Sequence, residues 1–124
     1  MKFQPDTAPG INLITRHEAG RVWVGSTAFN TSLLLPWAGE VLPWQVLRFE
    51  ELSRVHFERI AALQPEVVIF GSGARLRFPP PAWLVALMEK RIGLETMDTA
   101  AAARTYNVLA SEGRSVLAAL LLES

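Results

Sequence analysis

The spacing of apolar and polar positions changes character midway along the chain. In the first half, short apolar clusters alternate with turn formers. Leu13-Ile14-Thr15-Arg16 and Arg21-Val22-Trp23-Val24 flank Glu18-Ala19-Gly20, a spacing and turn chemistry that predict a hairpin with a glycine-bearing loop. Ser32 to Leu35 and Val46 to Phe49 read as further short strands, separated by Pro36, Gly39 and Pro43. From residue 53 the period lengthens. Ser53 stands as an N-cap, Val55, Phe57, Ile60 and Leu63 supply the apolar stripe of a helix that Pro65 ends, and Arg54, Glu58 and Arg59 fall on its wet face. Val67-Val68-Ile69-Phe70 is apolar without alternation, the pattern of a strand covered on both faces and central in its sheet.

Pro79-Pro80-Pro81 then opens a helix over Ala82 to Arg91, because a proline in the first turn has no N–H to lose. That helix is apolar nearly all round, so it is either buried or faces a partner, and Gly93 is its expected stop. Leu94 to Met97 forms a strand. Thr99 caps a last helix whose inner face is Ala102, Thr105, Tyr106 and Leu109 and whose stop is Gly113. By composition Arg114 to Leu122 suits helix or strand; the short spacing after Gly113 favours a strand. Strand and helix alternate in this half, which argues for right-handed crossovers and a largely parallel sheet, extended or covered by the N-terminal hairpins. The expected fold is a single three-layer α/β domain over residues 11–124 with a mixed central sheet, preceded by an irregular arm over residues 1–10, where two prolines and a glycine break any period.

Two segments carry a family resemblance. Pro65-Glu66-Val67-Val68-Ile69-Phe70-Gly71-Ser72-Gly73, and the run Asp98-Thr99-Ala100-Ala101-Ala102-Ala103-Arg104-Thr105-Tyr106-Asn107-Val108-Leu109-Ala110-Ser111-Glu112-Gly113-Arg114, resemble the Mth-938-like domain family. This is a small α/β family of unknown function, and a mitochondrial respiratory complex I assembly factor is among its eukaryotic relatives. The family pattern at the first segment looks like Gly-Thr-Gly, so Ser72 keeps the hydroxyl and drops the methyl, and Trp44 aligns with a tryptophan of the family. The resemblance implies a compact α/β fold with a mixed sheet, a strand over Arg114 to Leu122, and a non-catalytic binding or assembly role with respiratory complex subunits as partners.

Composition narrows the function classes. Half of the 124 residues are hydrophobic, so the chain must build a dense core or leave apolar surface for a partner. Twelve basic residues balance twelve acidic ones, which removes the net attraction to phosphate backbones or anionic lipid and argues against nucleic acid. There is no cysteine, so disulfides, thiolate nucleophiles and sulfur-ligated metals are excluded. The N-terminus lacks an apolar signal core, and the longest apolar run, Val116 to Leu122, is far short of the ~20 residues that cross a bilayer. A cytoplasmic location without membrane insertion is expected, or a mitochondrial one if a targeting segment has been removed.

Candidate chemistry is sparse. Gly71-Ser72-Gly73 follows the buried strand, where ligands of open α/β sheets bind, and its backbone N–H groups with Arg75 and Arg77 would suit a small molecule or anion; the same glycines also serve a tight turn. Asn107 sits among small residues of the last helix, where its amide either orients a ligand at that loop or pins the helix to a neighbouring strand end. Ser72 lacks a nucleophile-elbow motif, and His17 and His56 lack metal-ligand spacing, so no catalytic residue, metal site or cofactor is implied. Glu50 and Glu51 are assigned to solvent. Trp37, Trp44 and Trp83 lie in segments a small domain need not bury completely. Trp37 and Trp83 are the candidate partner surface, and such a patch would also serve a homo-oligomer.

Overall fold

The computed structural model describes residues 10–123. The expected arm over residues 1–10 lies outside them except for Gly10. An antiparallel meander comes first: β1 (Ile14–Glu18), β2 (Arg21–Val24) and β3 (Thr27–Phe29). A second sheet contains β4 (Leu33–Pro36), β5 (Leu42–Pro43), β6 (Val67–Gly71), β7 (Gly93–Met97) and β8 (Val116–Leu120) in the order β5-β4-β8-β6-β7. It is mixed, with β6 parallel to both β7 and β8 and β4 antiparallel to β8. The helices are α1 (Arg54–Ala62), α2 (Val85–Glu89) and α3 (Thr99–Ser111).

The period of two along the strands builds three layers. Every residue of β6 and β8 is buried, as their unbroken apolar runs predict. Val67 and Ile69 with Val116, Ala118 and Leu120 point to one side, where α3 and the meander cover them. Val68 and Phe70 with Leu117 and Ala119 point to the other, under α1 and the segment carrying Trp44. On α3 the buried side chains are Ala102, Ala103, Tyr106 and Ala110, and three alanines allow the helix to approach the sheet closely. The crossovers β6–α2–β7 and β7–α3–β8 run in opposite directions along the sheet with helices on opposite faces, as right-handed connections require.

Local corrections have identifiable causes. Val46 to Phe49 is not a strand but leads into a 3-10 turn at Phe49–Glu51. Val46 N turns back to Trp44 O, and two further N–H groups are taken by carboxylates instead of a neighbouring strand: Leu47 N donates to Glu51 Oε1 and Phe49 N to Glu123 Oε2, each at 2.9 Å. The three-residue β3 was too short to register as a pattern. Ser53 does cap α1, in a capping box closed by His56 Nδ1, but the inner face is Phe57, Ile60 and Ala61, while Val55 and Leu63 are exposed. Residues 55 and 57 lie about 200° apart on a helix and cannot share a face.

The helix expected over Ala82 to Arg91 is a 3-10 turn, Pro81–Leu84, followed by the short α2, with Leu87 alone buried on it. Gly93 opens β7 rather than ending this helix, and the chain reverses at Arg91, whose φ is +58°. Asp98, not Thr99, caps α3 by accepting from Ala101 N at 2.9 Å. Thr105 and Leu109 lie at the border of its buried face.

Candidate functional site

Because β6, β7 and β8 are parallel, their carboxyl ends meet on one side of the sheet. There Gly71-Ser72-Gly73, the start of α3 and Leu121 are tied together. Thr99 Oγ1 accepts from Gly73 N at 2.9 Å and donates to Leu121 O at 2.8 Å, while Thr99 N donates to Gly73 O at 2.9 Å. Leu121 N donates to Gly71 O and Ser72 N to Met97 O. A Cβ at Gly71 would stand 3.0 Å from Leu120 Cδ2 and from Thr99 Cα and Oγ1, and Gly73 has φ +103°, so both glycines are dictated by this junction.

The Ser72 hydroxyl is fully buried and serves the loop itself. It donates to Arg75 O at 2.8 Å and accepts from Arg77 N at 2.9 Å, folding residues 72–77 back on the strand end. Both amides of Ser72 and Gly73 are likewise committed inside the fold. Arg77 turns inward, where its Nη2 donates to Ser72 O at 2.7 Å and pairs with Glu123. Its guanidinium also lies 5.0 Å from the Phe49 ring centroid. Arg75 is exposed.

Asn107 is not brought to the loop. Its Oδ1 accepts from Ile14 N at 2.9 Å and its Nδ2 donates to Ile14 O at 2.6 Å, so the amide stands in for a strand neighbour of β1. Asn107→Ala is expected to cost about 2 kcal/mol in a denaturant titration, one net hydrogen bond at each end of the amide. Amide exchange should rise first in the meander. Exchange that stays uniform would count against this pin.

Beside the junction lies a cleft of about 430 Å³, walled by the β1–β2 turn with His17 and Glu18, by Gly73 and Ala74, by Asp98 to Ala100, and by Leu121 to Glu123. Its place beyond the carboxyl ends of parallel strands is the ligand position of open α/β sheets. Ser72 and Arg75 do not line it. Glu18 and Glu123 carry no candidate role in the sequence, and His17 enters it only as a histidine without metal-ligand spacing. Thr99, two residues past the end of β7, is both a helix start and a polar candidate residue of the family-like run, and Glu123 follows the last strand without any local pattern. Among the described residues no cluster of His, Asp or Glu is arranged to hold a metal ion.

The tryptophans divide between core and border. Trp44 is 2% exposed, edge-on to Phe57 and Phe70. Trp83 is half-buried against Phe49 and Phe57. Trp37, also half-buried, donates its Nε1–H to Ala110 O at 3.0 Å. The exposed large apolar side chains are others, including Leu76, Phe78, Val85 and Met88, with Phe78 at 68% exposure. Among the described residues, no helix is long and apolar enough to cross a membrane.

Known proteins with the same pattern extend across nearly the whole domain. An uncharacterised protein of Rhodobacter capsulatus is 37% identical over 103 residues, 83% of this chain and 73% of that protein. The bovine NADH dehydrogenase [ubiquinone] 1 alpha subcomplex assembly factor 3 is 34% identical over 104 residues, covering 82% of this chain; the chain spans about half the length of that relative, 55%. The solution structure of a Bordetella pertussis protein described as a Mth938-like domain superposes with a TM-score of 0.86 at 30% identity, over 100% of this chain and 94% of that one. A family model described as a protein of unknown function, DUF498/DUF598, matches residues 14–121, and the chain belongs to that family.

Proposed function

We propose that the chain is a non-catalytic binding protein acting in the assembly of a respiratory NADH dehydrogenase, with complex subunits as its partners. The observation that carries this reading is the 34% identity, over 82% of the chain, to an assembly factor of that complex. The surface that would meet a partner follows from the loop geometry. Arg77 is drawn inward by Ser72 and Glu123, and in an extended segment the flanking residues then face outward, which leaves Leu76 and Phe78 exposed. Val85 and Met88 add apolar area a few residues on, and Trp83 contributes its uncovered edge. Aromatic and methionine side chains held on a fixed scaffold are the usual anchors of protein interfaces. Trp37 borders a separate hollow of about 410 Å³ walled by Leu42, Leu63 and Pro65, a second contact area in the same reading.

The test is affinity capture from the native host, comparing the tagged chain with a Phe78→Glu/Met88→Glu variant and with Leu47→Glu, which charges a different exposed apolar residue. NADH dehydrogenase subunits should be recovered with the parent and with Leu47→Glu and fall at least about tenfold with the double variant, the loss expected from one or two anchors. Equal recovery by all three would sink this surface. Absence of those subunits from the parent capture would sink the assembly role.

A second reading, a small-molecule site beside the Gly71-Ser72-Gly73 loop, is favoured by the cleft that Gly73 helps to wall.

A further inference from the structure

Resting on that second reading, we infer that the cleft beyond β6, β7 and β8 takes a small organic cation, an ammonium or guanidinium group carried on a compact apolar body. At about 430 Å³ the cleft falls within the size range of small-molecule sites, and it is half open, so a ligand enters without rearrangement of the sheet. Its walls are mainly hydrocarbon, from Val22, Ala74, Ala100, Leu121 and Leu122. Such walls select an apolar body but not the sign of its head group.

The sign comes from the ionisable residues of the lining, which are Glu18, Asp98, Glu123 and His17, with no lysine or arginine among the described lining residues. Two of these carboxylates are already paired, Glu18 with Arg16 and Glu123 with Arg77, and Glu123 also accepts from Phe49 N through its other oxygen, so Asp98 is the carboxylate that sets the sign. Asp98 spends Oδ1 on Ala101 N as the cap of α3, and among the described residues its second oxygen has no partner. The same carboxylate offsets the partial positive charge of the helix end, which would otherwise favour an anion. With the Asp98 carboxylate at the lining and no lysine or arginine among the described lining residues, a cation is drawn in and an anion of the same shape is repelled.

An amide-resolved NMR titration of the 13.7 kDa protein with hexylamine, hexanol and hexanoate tests this, since the three share one body and differ in head-group charge. Hexylammonium should shift the amides of Gly73, Ala74 and Ala100 and bind about five- to tenfold more tightly than hexanol, with hexanoate weakest. Asp98→Asn keeps the helix cap, because asparagine caps as well as aspartate, and should bring hexylamine close to hexanol. Ala74→Trp, at an exposed position on the wall, should remove all three. Equal binding of the three probes, or a preference unchanged in Asp98→Asn, would overturn the cation assignment and leave the small-molecule reading standing. No shift at these amides with any probe would overturn both.

Discussion

Replacing Gly73 with alanine is expected to lower the stability of the fold by about 3–5 kcal/mol, seen as a large fall in the midpoint of urea unfolding. Two costs add. The residue sits at φ +103°, outside the region any side-chain-bearing residue adopts readily, which costs about 1–3 kcal/mol. The new Cβ would also run into the Glu123 carboxylate and the Arg77 guanidinium. These two groups are paired, each less than a fifth exposed; Arg77 also donates to Ser72 O, and Glu123 accepts from Phe49 N. Parting them costs a charge-assisted hydrogen bond of about 1.5–3 kcal/mol. Gly25→Ala is the internal comparison: its φ of +60° is strained for alanine, but the added Cβ meets nothing within 4 Å. It should cost only about 1–2 kcal/mol. Equal losses at the two positions would mean that the Arg77–Glu123 pair yields freely and that the close approach is not what fixes this loop.

That pair also marks the limit of what could be read from the chain. The layered architecture was legible because its signals are periodic: Val67 to Phe70 and Val116 to Leu120 are unbroken apolar runs, and both are buried throughout. Ser53 and Gly113 were legible as helix ends because capping chemistry is local. The misplaced loop segment and the misassigned amide depended on partners distant in sequence. The segment at Val46 is held out of strand geometry by Glu123, 74 residues from Phe49. Asn107 was recognised as an amide needing partners, but its partner is Ile14, 93 residues away, and nothing near either residue announces the match. The cleft is assembled from four segments, and only two of them, the glycine loop and the start of α3, lie in the family-like runs. A charge balance of zero over the whole chain also said nothing about the sign of one cleft, whose described lining holds Glu18, Asp98 and Glu123 and no lysine or arginine.

Alkaline pH is expected to unfold this protein through a single side chain. Tyr106 is the only tyrosine of the chain and is fully buried on α3. Burial holds its phenol well above the ordinary range. The hydroxyl donates to Asn12 O at 2.7 Å, with Pro36 O at 3.1 Å, so ionisation would strip the donor and leave a phenolate facing two carbonyl oxygens. The folded state therefore keeps the proton to higher pH than the unfolded chain, whose phenol titrates near pH 10. Stability is intact below that value and falls above it, by up to about 1.4 kcal/mol per pH unit. Cysteine is absent, the only lysines are Lys2 and Lys90, and arginine stays charged throughout, so few other side chains compete in this window. Near-ultraviolet absorbance of the phenolate should rise together with the loss of far-ultraviolet circular dichroism, in one steep transition. Tyr106→Phe should be about 1–2 kcal/mol less stable than the parent at neutral pH, having lost the hydrogen bond that ties α3 to the segment before β1. Above pH 10 its stability should no longer fall with this slope, so the two curves converge. A phenolate signal that appears gradually near pH 10 while the circular dichroism remains native would show that the hydroxyl reaches water in the folded protein.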